Sequence, residues 1–516
     1  HLSIRRQRQM CIRDSAKGQP ISFTYDALNR VTLKTVGSGT TRVETRYTYD
    51  QVRTGFYNKG RLTTEELWTP SQGTIHSIAF DHHRNGQVEE TRHTLDGRTW
   101  ALKTSFRPDG LPADLRLPSD PGTTGTAWLG GFQYDAASRL ISWPGYITSV
   151  SYANPGSTQI LFPATPTAIA YASGASESFS YDNLRSWLTL AEARDAGGLT
   201  VARNGIARTA SGRIWRNATS YLQGGTTRDP EGDFDYGYDY AGRLLAATHT
   251  GGLAGFTQSF TYDGAGRIRS NSLVGTYAYA NTGQAEHAPS SVTPASGPAQ
   301  SLGYDLNGNM TTGLDGKVMT YDGENRPVSV SYAGKTTTYV YGADGARLKK
   351  IETDPVTGTS VTLYLGAVEI RKYGQGVAEE ILLYPRPNIR ITKTKSGGVV
   401  TTKVFALHVD GLGSVRAVTD GAGAVVERTA YRPYGEEVPL AQPLTLPETR
   451  GFIGERYDDA SGLQYLNARY YDPRLGLFIQ PDWWEVTKPG VGTNRYSYAG
   501  NCLLYTSPSP RDGLLS

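Results

Sequence analysis

Ten Tyr-Asp dipeptides punctuate the chain, at Tyr25, Tyr49, Tyr134, Tyr181, Tyr238, Tyr262, Tyr304, Tyr321, Tyr457 and Tyr471. With 33 Tyr and 48 acidic residues among 516 positions, random placement gives at most about 3, even if every acid were Asp. An excess of this size marks the internal repetition of a short unit. A chain built this way is expected to fold as a large, repetitive β structure. Such structures enclose, display or bind more often than they catalyse.

The clearest copies are FTYDGAGRI from Phe260, YGYDYAGRLL from Tyr236 and YVYGADGARL from Tyr339. FTYDALNRV, FQYDAASRL, LGYDLNGNM and MTYDGENRP are weaker copies. Aromatic residues at i and i+2 share one strand face, so Phe260 and Tyr262 lie together and Thr261 opposite. The Asp then accepts local backbone hydrogen bonds, and Gly or Asn29 supplies the positive φ of a tight reversal. The chain returns through Arg and an aliphatic residue, as at Arg243-Leu244 and Arg267-Ile268. Each unit therefore reads as a β-hairpin, with the returning Arg expected across the preceding Tyr ring. Neighbouring units 24, 24 and 17 residues apart, at Tyr25/Tyr49, Tyr238/Tyr262 and Tyr304/Tyr321, leave room for one hairpin each.

Helical periodicity is nearly absent, and even Trp187–Ala193 reads as a strand. Loops are expected at 288–300 and 439–448, an irregular crossing at Pro385-Arg386-Pro387, and renewed strand alternation over 399–407. No run of about 18 apolar residues is present to span a membrane as a helix.

Three segments resemble a known family. These are LHVDGLGSVRAVTDGAGAVVERTAYRPYGE (407–436), GFIGERYDDASGLQYLNARYYDPRLGLFIQPDWW (451–484) and GVGTNRYSYAGN (490–501). Together with the Tyr-Asp units they resemble the Rhs (rearrangement hotspot), or YD-repeat, family and its C-terminal Rhs-associated core. The resemblance covers about residues 20–501. It implies an all-β fold of repetitive antiparallel hairpins forming a long spiralling sheet, the open part of a hollow β shell. The implied function is a non-catalytic shell of a polymorphic toxin that encapsulates or presents a C-terminal toxin lying beyond this chain. The alternative is a bacterial cell-surface adhesion or carbohydrate-binding YD-repeat protein. The expected partners are a toxin cargo, a secretion-system or cell-surface partner and a carbohydrate, with no cofactor, metal or nucleic acid. The expected location is outside the cell or on the bacterial surface.

The two ends read differently. Residues 1–15 (HLSIRRQRQMCIRDS) and 502–516 (CLLYTSPSPRDGLLS) look like translated sequencing adapters and are set aside from fold reasoning. Between them, residues 16–400 form the expected repeat shell and 401–501 a truncated core-like region. Both cysteines, Cys11 and Cys502, lie in these ends, which excludes a disulfide framework or cysteine nucleophile from the rest. Setting the ends aside takes 52 basic and 48 acidic residues to 47 and 46, and the net charge from +4 to +1. The apparent pI of 8.7 is therefore no argument for nucleic-acid binding.

Candidate chemistry is sparse. In self-cleaving relatives a pair of aspartates acts together, one ionised and one protonated. By resemblance Asp482 matches the first of them, although Trp483 follows it where Pro is commoner. The second belongs to an Asp-Pro-x-Gly element downstream of Asn501. Asp472, in RYYDPRLG, reads as a turn residue or as a local partner ten residues before Asp482. His408, Asp410 and Ser414 in LHVDGLGS read as strand and turn rather than a triad. Adjacent His82 and His83 point to opposite strand faces and cannot share a metal. Trp128, Trp143, Trp187, Trp215, Trp483 and Trp484 would line a sugar-binding face or simply pack between hairpins. No calcium loop, P-loop, HExxH or GxSxG occurs.

Overall fold

A computed structural model describes residues 12–14, 17–152, 165–223, 225–252, 254–438, 448–482 and 494–502. Among them are antiparallel strands and short 3₁₀ turns, with no α-helix. Three long meanders dominate. A ten-stranded sheet spans 12–130, a thirteen-stranded sheet 147–301 and a second thirteen-stranded sheet 303–428, with each strand paired to the one before it. One hairpin, Tyr221–Gln223 with Thr226–Arg228, leaves the second sheet, so that Ile214–Ala218 pairs directly with Phe234–Tyr238. A four-stranded sheet over 456–478 follows the third meander. The expected all-β architecture of repeated antiparallel hairpins is thus present.

The long sheets are wound on one another. Asp305 and Glu324 of the third meander pair with Lys17 and Lys34 of the first. Lys349, Glu379 and Lys395 then pair with Asp96, Arg98 and Asp120. Further along, Asn388, His408 and Arg428 reach Tyr171, Glu177 and Asp229 of the second. Partners advance in step along both segments at separations of 199 to 290 residues, which is the length of one turn of a spiral. The core agrees. Leu95, Trp100 and Leu117 pack with Trp143, Ile147 and Tyr171 and with Leu363, Ile370 and Ile391.

The repeating unit has a definite geometry. In the strand Gln258–Tyr262, Phe260 is buried and Ser259 and Thr261 are exposed, as alternation requires. At the following loop, one oxygen of Asp263 accepts the amides of Ala265 and Arg267 at 2.9 Å, and the other accepts Arg267 Nε at 2.7 Å. Asp26, Asp135 and Asp322 repeat this pattern with Arg30, Arg139 and Arg326. The positive φ falls one residue before the Arg, at Asn29 (60°), Gly266 (77°) and Asn325 (62°).

In most units the returning Arg lies across the Tyr ring of the following unit rather than the preceding one, while Arg347 lies 5.6 Å from the ring of the preceding Tyr339. Arg30 covers Tyr49 at 4.3 Å, Arg243 covers Tyr262 at 4.7 Å and Arg326 covers Tyr341 at 4.5 Å. Its Nε is tied back to its own loop, so the guanidinium faces the next strand. That next Tyr also donates its hydroxyl to the carbonyl beside the Arg. Tyr49 reaches Val31, Tyr262 reaches Leu244 and Tyr341 reaches Pro327, at 2.8, 2.8 and 2.6 Å.

The stretch 288–300 is not all loop. It contains the strand Ser291–Thr293, which pairs with Gly275–Ala278 because Val292 enters the core. The strand Glu380–Arg386 runs through Pro385 with a shift of register between Leu383 and Arg386. Leu188–Arg194 is a strand, and Val399–Val409 is one that also crosses the 400/401 boundary. Of the expected loop 439–448 only Glu448 is described, and most of both terminal segments lies outside the described residues.

Candidate functional site: a buried charged seam under the C-terminal segment

The described residues from 448 to 502 are clasped between the second and third sheets. Tyr465, Tyr470, Leu475, Leu477, Ile479 and Tyr496 pack with Ile268, Tyr277, Met310 and Tyr339. Phe452, Tyr471, Phe478 and Tyr498 pack with Ile206, Ile214, Leu244 and Phe260. Aromatic rings make up much of this contact, with Tyr471 and Tyr498 centroids 4.9 Å apart.

Charges run through the contact. Asp458, 1% exposed, accepts Arg347 Nη1 at 2.5 Å, Tyr339 Oη at 3.0 Å and Lys350 Nζ at 3.1 Å. Burial alone would raise its pKa, but Arg347 and then Lys350 overcome that and hold it below the ordinary Asp value. The Arg347 guanidinium lies between the rings of Tyr364 and Tyr465, 4.5 Å from each. Glu369 takes Arg456 Nε at 2.6 Å, with Arg371 at 3.8 Å. Against the cost of burial, Arg456 and Arg371 hold its carboxyl down to about 2. Glu448 receives Arg390 Nη1 at 3.0 Å and Tyr384 Oη at 2.7 Å. Its amide donates to Glu427 Oε2 at 3.0 Å. Burial, and then the negative charge of Glu448, push the Glu427 carboxyl up to about 8.

The aspartates singled out in the sequence do not meet. Asp472 is paired with Leu477 at the turn of the hairpin Tyr470–Asp472/Leu477–Phe478. One of its oxygens accepts the Arg474 and Leu475 amides, and the other takes Lys317 Nζ at 3.0 Å. Asp482 lies beyond the open end of that hairpin. Its amide donates to the Arg495 carbonyl at 2.9 Å, and its carboxylate pairs with Arg469 at 3.0 Å. Each acid therefore has its own cation.

His408 is turned to Glu177 (3.0 Å) and Thr419 (2.9 Å), while Ser414 Oγ accepts the Ile453 amide at 3.0 Å. This is a structural network rather than a nucleophile with its base. His82 meets Asn58, and among the described residues no group of three or more His, Cys, Asp or Glu could hold a metal ion. The tryptophans do not share a face. Trp143 is fully buried in the core, stacked 4.0 Å from Tyr146, whereas Trp128 and Trp215 are exposed. Trp483 and Trp484 lie outside the described residues.

Sequence reading missed the seam itself. Its signal was present in Val368-Glu369-Ile370, a single charge inside an apolar strand, which demands a buried partner.

Residues 400–504, which contain the whole seam-forming segment, match the family profile described as Teneurin YD-shell. The chain is 23% identical to double-stranded DNA deaminase toxin A of Burkholderia cenocepacia, over 94% of this chain and 37% of that protein. It is 27% identical to the tRNA3(Ser)-specific nuclease WapA of Bacillus spizizenii, over 51% of this chain and 11% of that protein. These matches support an Rhs/YD-repeat chain. It spans only a minor part of the length of these relatives. The YD-repeat fold also matches the crystal structure of TcdB2-TccC3-Cdc42, with a TM-score of 0.68 at 15% identity, covering 98% of this chain and 28% of that one. The Photorhabdus luminescens Tc holotoxin pore matches with a TM-score of 0.65 at 14% identity, over 95% of this chain and 27% of that one. At these identities the likeness concerns the fold alone.

Proposed function

We propose that this YD-repeat chain is a non-catalytic wall that encloses or presents a toxin polypeptide encoded downstream of it, in a secreted protein. Residues 16–400 serve as the spiralling wall and 401–501 as the segment that fastens its end. The terminal stretches 1–15 and 502–516 are foreign to it. The observation that carries this reading is the seam. A container must hold its closing segment rigidly, and here that segment is fixed by aromatic packing together with buried ion pairs at Asp458, Glu369 and Glu448. The same residues carry no nucleophile beside a base, which fits a structural role.

The test is to express the gene with its downstream reading frame and to follow limited proteolysis by mass spectrometry. In a container, the downstream polypeptide survives protease concentrations that digest it when it is expressed alone. Equal digestion rates for the enclosed and free forms would remove the container reading. No helix among the described residues is long and apolar enough to cross a membrane.

A further inference from the structure

The chain has four Asp-Pro bonds, after Asp120, Asp229, Asp354 and Asp472. Proline pushes the residue before it towards the extended region. Asp229 alone of the four has a positive φ, with φ 50° and ψ 38°. This left-handed geometry is strained for a residue with a Cβ. It occurs where the excursion hairpin Tyr221–Gln223/Thr226–Arg228 returns to the second sheet through the 3₁₀ turn Pro230–Gly232.

The surroundings of this bond are also particular. The Asp229 carbonyl oxygen accepts the hydroxyl of fully buried Thr219 at 2.6 Å. One carboxylate oxygen is held by Arg428 Nη1 at 3.0 Å. The next carbonyl, of Pro230, lies 2.7 Å from His249 Nε2. The other three aspartates are occupied elsewhere. Asp120 is paired with Lys395, Asp354 accepts the Val356 and Thr357 amides, and Asp472 is held by two amides and Lys317.

We propose that Asp229–Pro230 is a self-cleavage site of the folded chain. A carboxyl oxygen of Asp229 adds to the carbon of its own main-chain carbonyl and closes a five-membered ring. The bond from that carbon to the Pro230 nitrogen then breaks. The proton lost by the carboxyl passes to this nitrogen, which leaves as a secondary amine. The cyclic anhydride takes up one water and leaves Asp229 as a new C-terminus, with no change of oxidation state. Thr219 polarises the carbonyl and stabilises its developing negative charge. The carboxyl and the carbonyl belong to one residue, Arg428 restricts the freedom of the carboxyl, and breaking the bond releases the backbone strain. The flanking strands Ile214–Ala218 and Phe234–Tyr238 stay paired, so the product is a nicked wall rather than two separate pieces.

The charged and titratable groups facing Asp229 are Arg428 and Arg416 from the third sheet, Tyr221 from the hairpin and Glu231 from its own turn. Asp233 and His249 lie around Thr219 and Pro230. Burial is the largest influence and raises the Asp229 carboxyl above the ordinary Asp value, against Arg428 and Arg416. Asp120 and Asp354 are shifted the other way, first by the hydrogen bonds from Lys395 and from the Val356 amide. Asp229 thus keeps its proton, the one the leaving nitrogen needs, to higher pH than Asp120 or Asp354, and cleavage speeds up as pH falls.

The full chain is incubated between about pH 4 and about pH 7, and the new N-termini are identified by mass spectrometry. The expected result is a Pro230 N-terminus forming about tenfold or more faster than Pro121, Pro355 or Pro473, with the preference lost in denaturant. Thr219→Val slows this cut and Thr219→Ser restores it, while Asp229→Asn abolishes it. Equal rates at all four bonds in the folded chain, or no Pro230 terminus, would overturn the proposal. This comparison needs no variant to fold, because the other three bonds are controls within the same molecule.

Discussion

The same dipeptide does two different jobs in this chain. In the wall, the aspartates of Tyr25-Asp26, Tyr238-Asp239 and Tyr262-Asp263 close half-exposed loops and tie down the Arg that reaches the next unit. In the C-terminal segment, the aspartates of Tyr457-Asp458 and Tyr471-Asp472 are buried and bind cations from strands more than one hundred residues away. A loop aspartate exchanges water for local amides and one neighbouring guanidinium, a modest net gain. A buried aspartate has lost its water altogether and depends on its partners. Repetition in sequence therefore does not imply repetition in energetics. Wall units are joined by many weak links, and the C-terminal segment by a few strong ones.

The largest expected effect follows directly. Asp458→Ala leaves Arg347 and Lys350 buried without their carboxylate and should cost about 3–5 kcal/mol. Asp263→Ala, which removes the equivalent side chain from a wall loop, should cost about 1 kcal/mol. Urea denaturation of both variants measures the difference. Similar losses would mean that the seam is no stronger than a wall loop, and the contrast between the two regions would fail.

The second prediction concerns pH. The Glu427 carboxyl is pushed up to about 8 in the folded chain, from an ordinary value near 4.5. Between those values the folded state holds a proton that the unfolded state has released. Its contribution therefore favours folding below the lower value and is lost as pH rises through about 8. A tenfold difference in proton affinity between the two states is worth about 1.4 kcal/mol. Glu427→Gln should flatten the fall in stability over that window and raise stability at its alkaline end, by about 2 kcal/mol or more. Loop aspartates such as Asp135 and Asp239 are shifted the other way, chiefly by Arg139 and, against burial, by Arg243. Their stabilisation is present above the ordinary Asp value and disappears only as pH falls through the lowered one. Thermal unfolding of the wild type and the Gln variant across this range separates the two behaviours. An unchanged alkaline slope in Glu427→Gln would show that the Glu427–Glu448 contact does not set it.

How much of this was legible in the sequence follows from the same contrast. Local chemistry was readable. Aromatic alternation placed Phe260 and Tyr262, Asp263 announced the loop, and Gly266 and Asn325 supplied the positive φ. The direction of the Arg was not readable, because stacking on the next ring depends on which strand becomes the neighbour. Nor was the seam, since the partners of Asp458 at Arg347 and Lys350 are brought to it only by the winding of the sheets. Asp472 and Asp482, close in sequence, are parted by the hairpin that spaces them and face Lys317 and Arg469 separately.

The smallest effect tests the weak links of the wall. Tyr49 and Tyr341 make the same bond, each donating its hydroxyl to the carbonyl beside the Arg of the preceding unit. They differ in surroundings, because Tyr341 is 6% exposed and packed against the C-terminal segment, while Tyr49 is half-buried on the wall. Replacement by Phe keeps the ring and the Arg stacking and removes the hydroxyl, which at Tyr341 also meets Tyr470 Oη at 3.4 Å. At Tyr341 the Pro327 carbonyl is then left dry, and about 1 kcal/mol should be lost. At Tyr49 water can take the place of the hydroxyl, and the loss should stay below about 0.5 kcal/mol. A larger loss at Tyr49 than at Tyr341 would mean that the repeated hydroxyl bond draws its strength from strand register within the wall rather than from burial against the C-terminal segment.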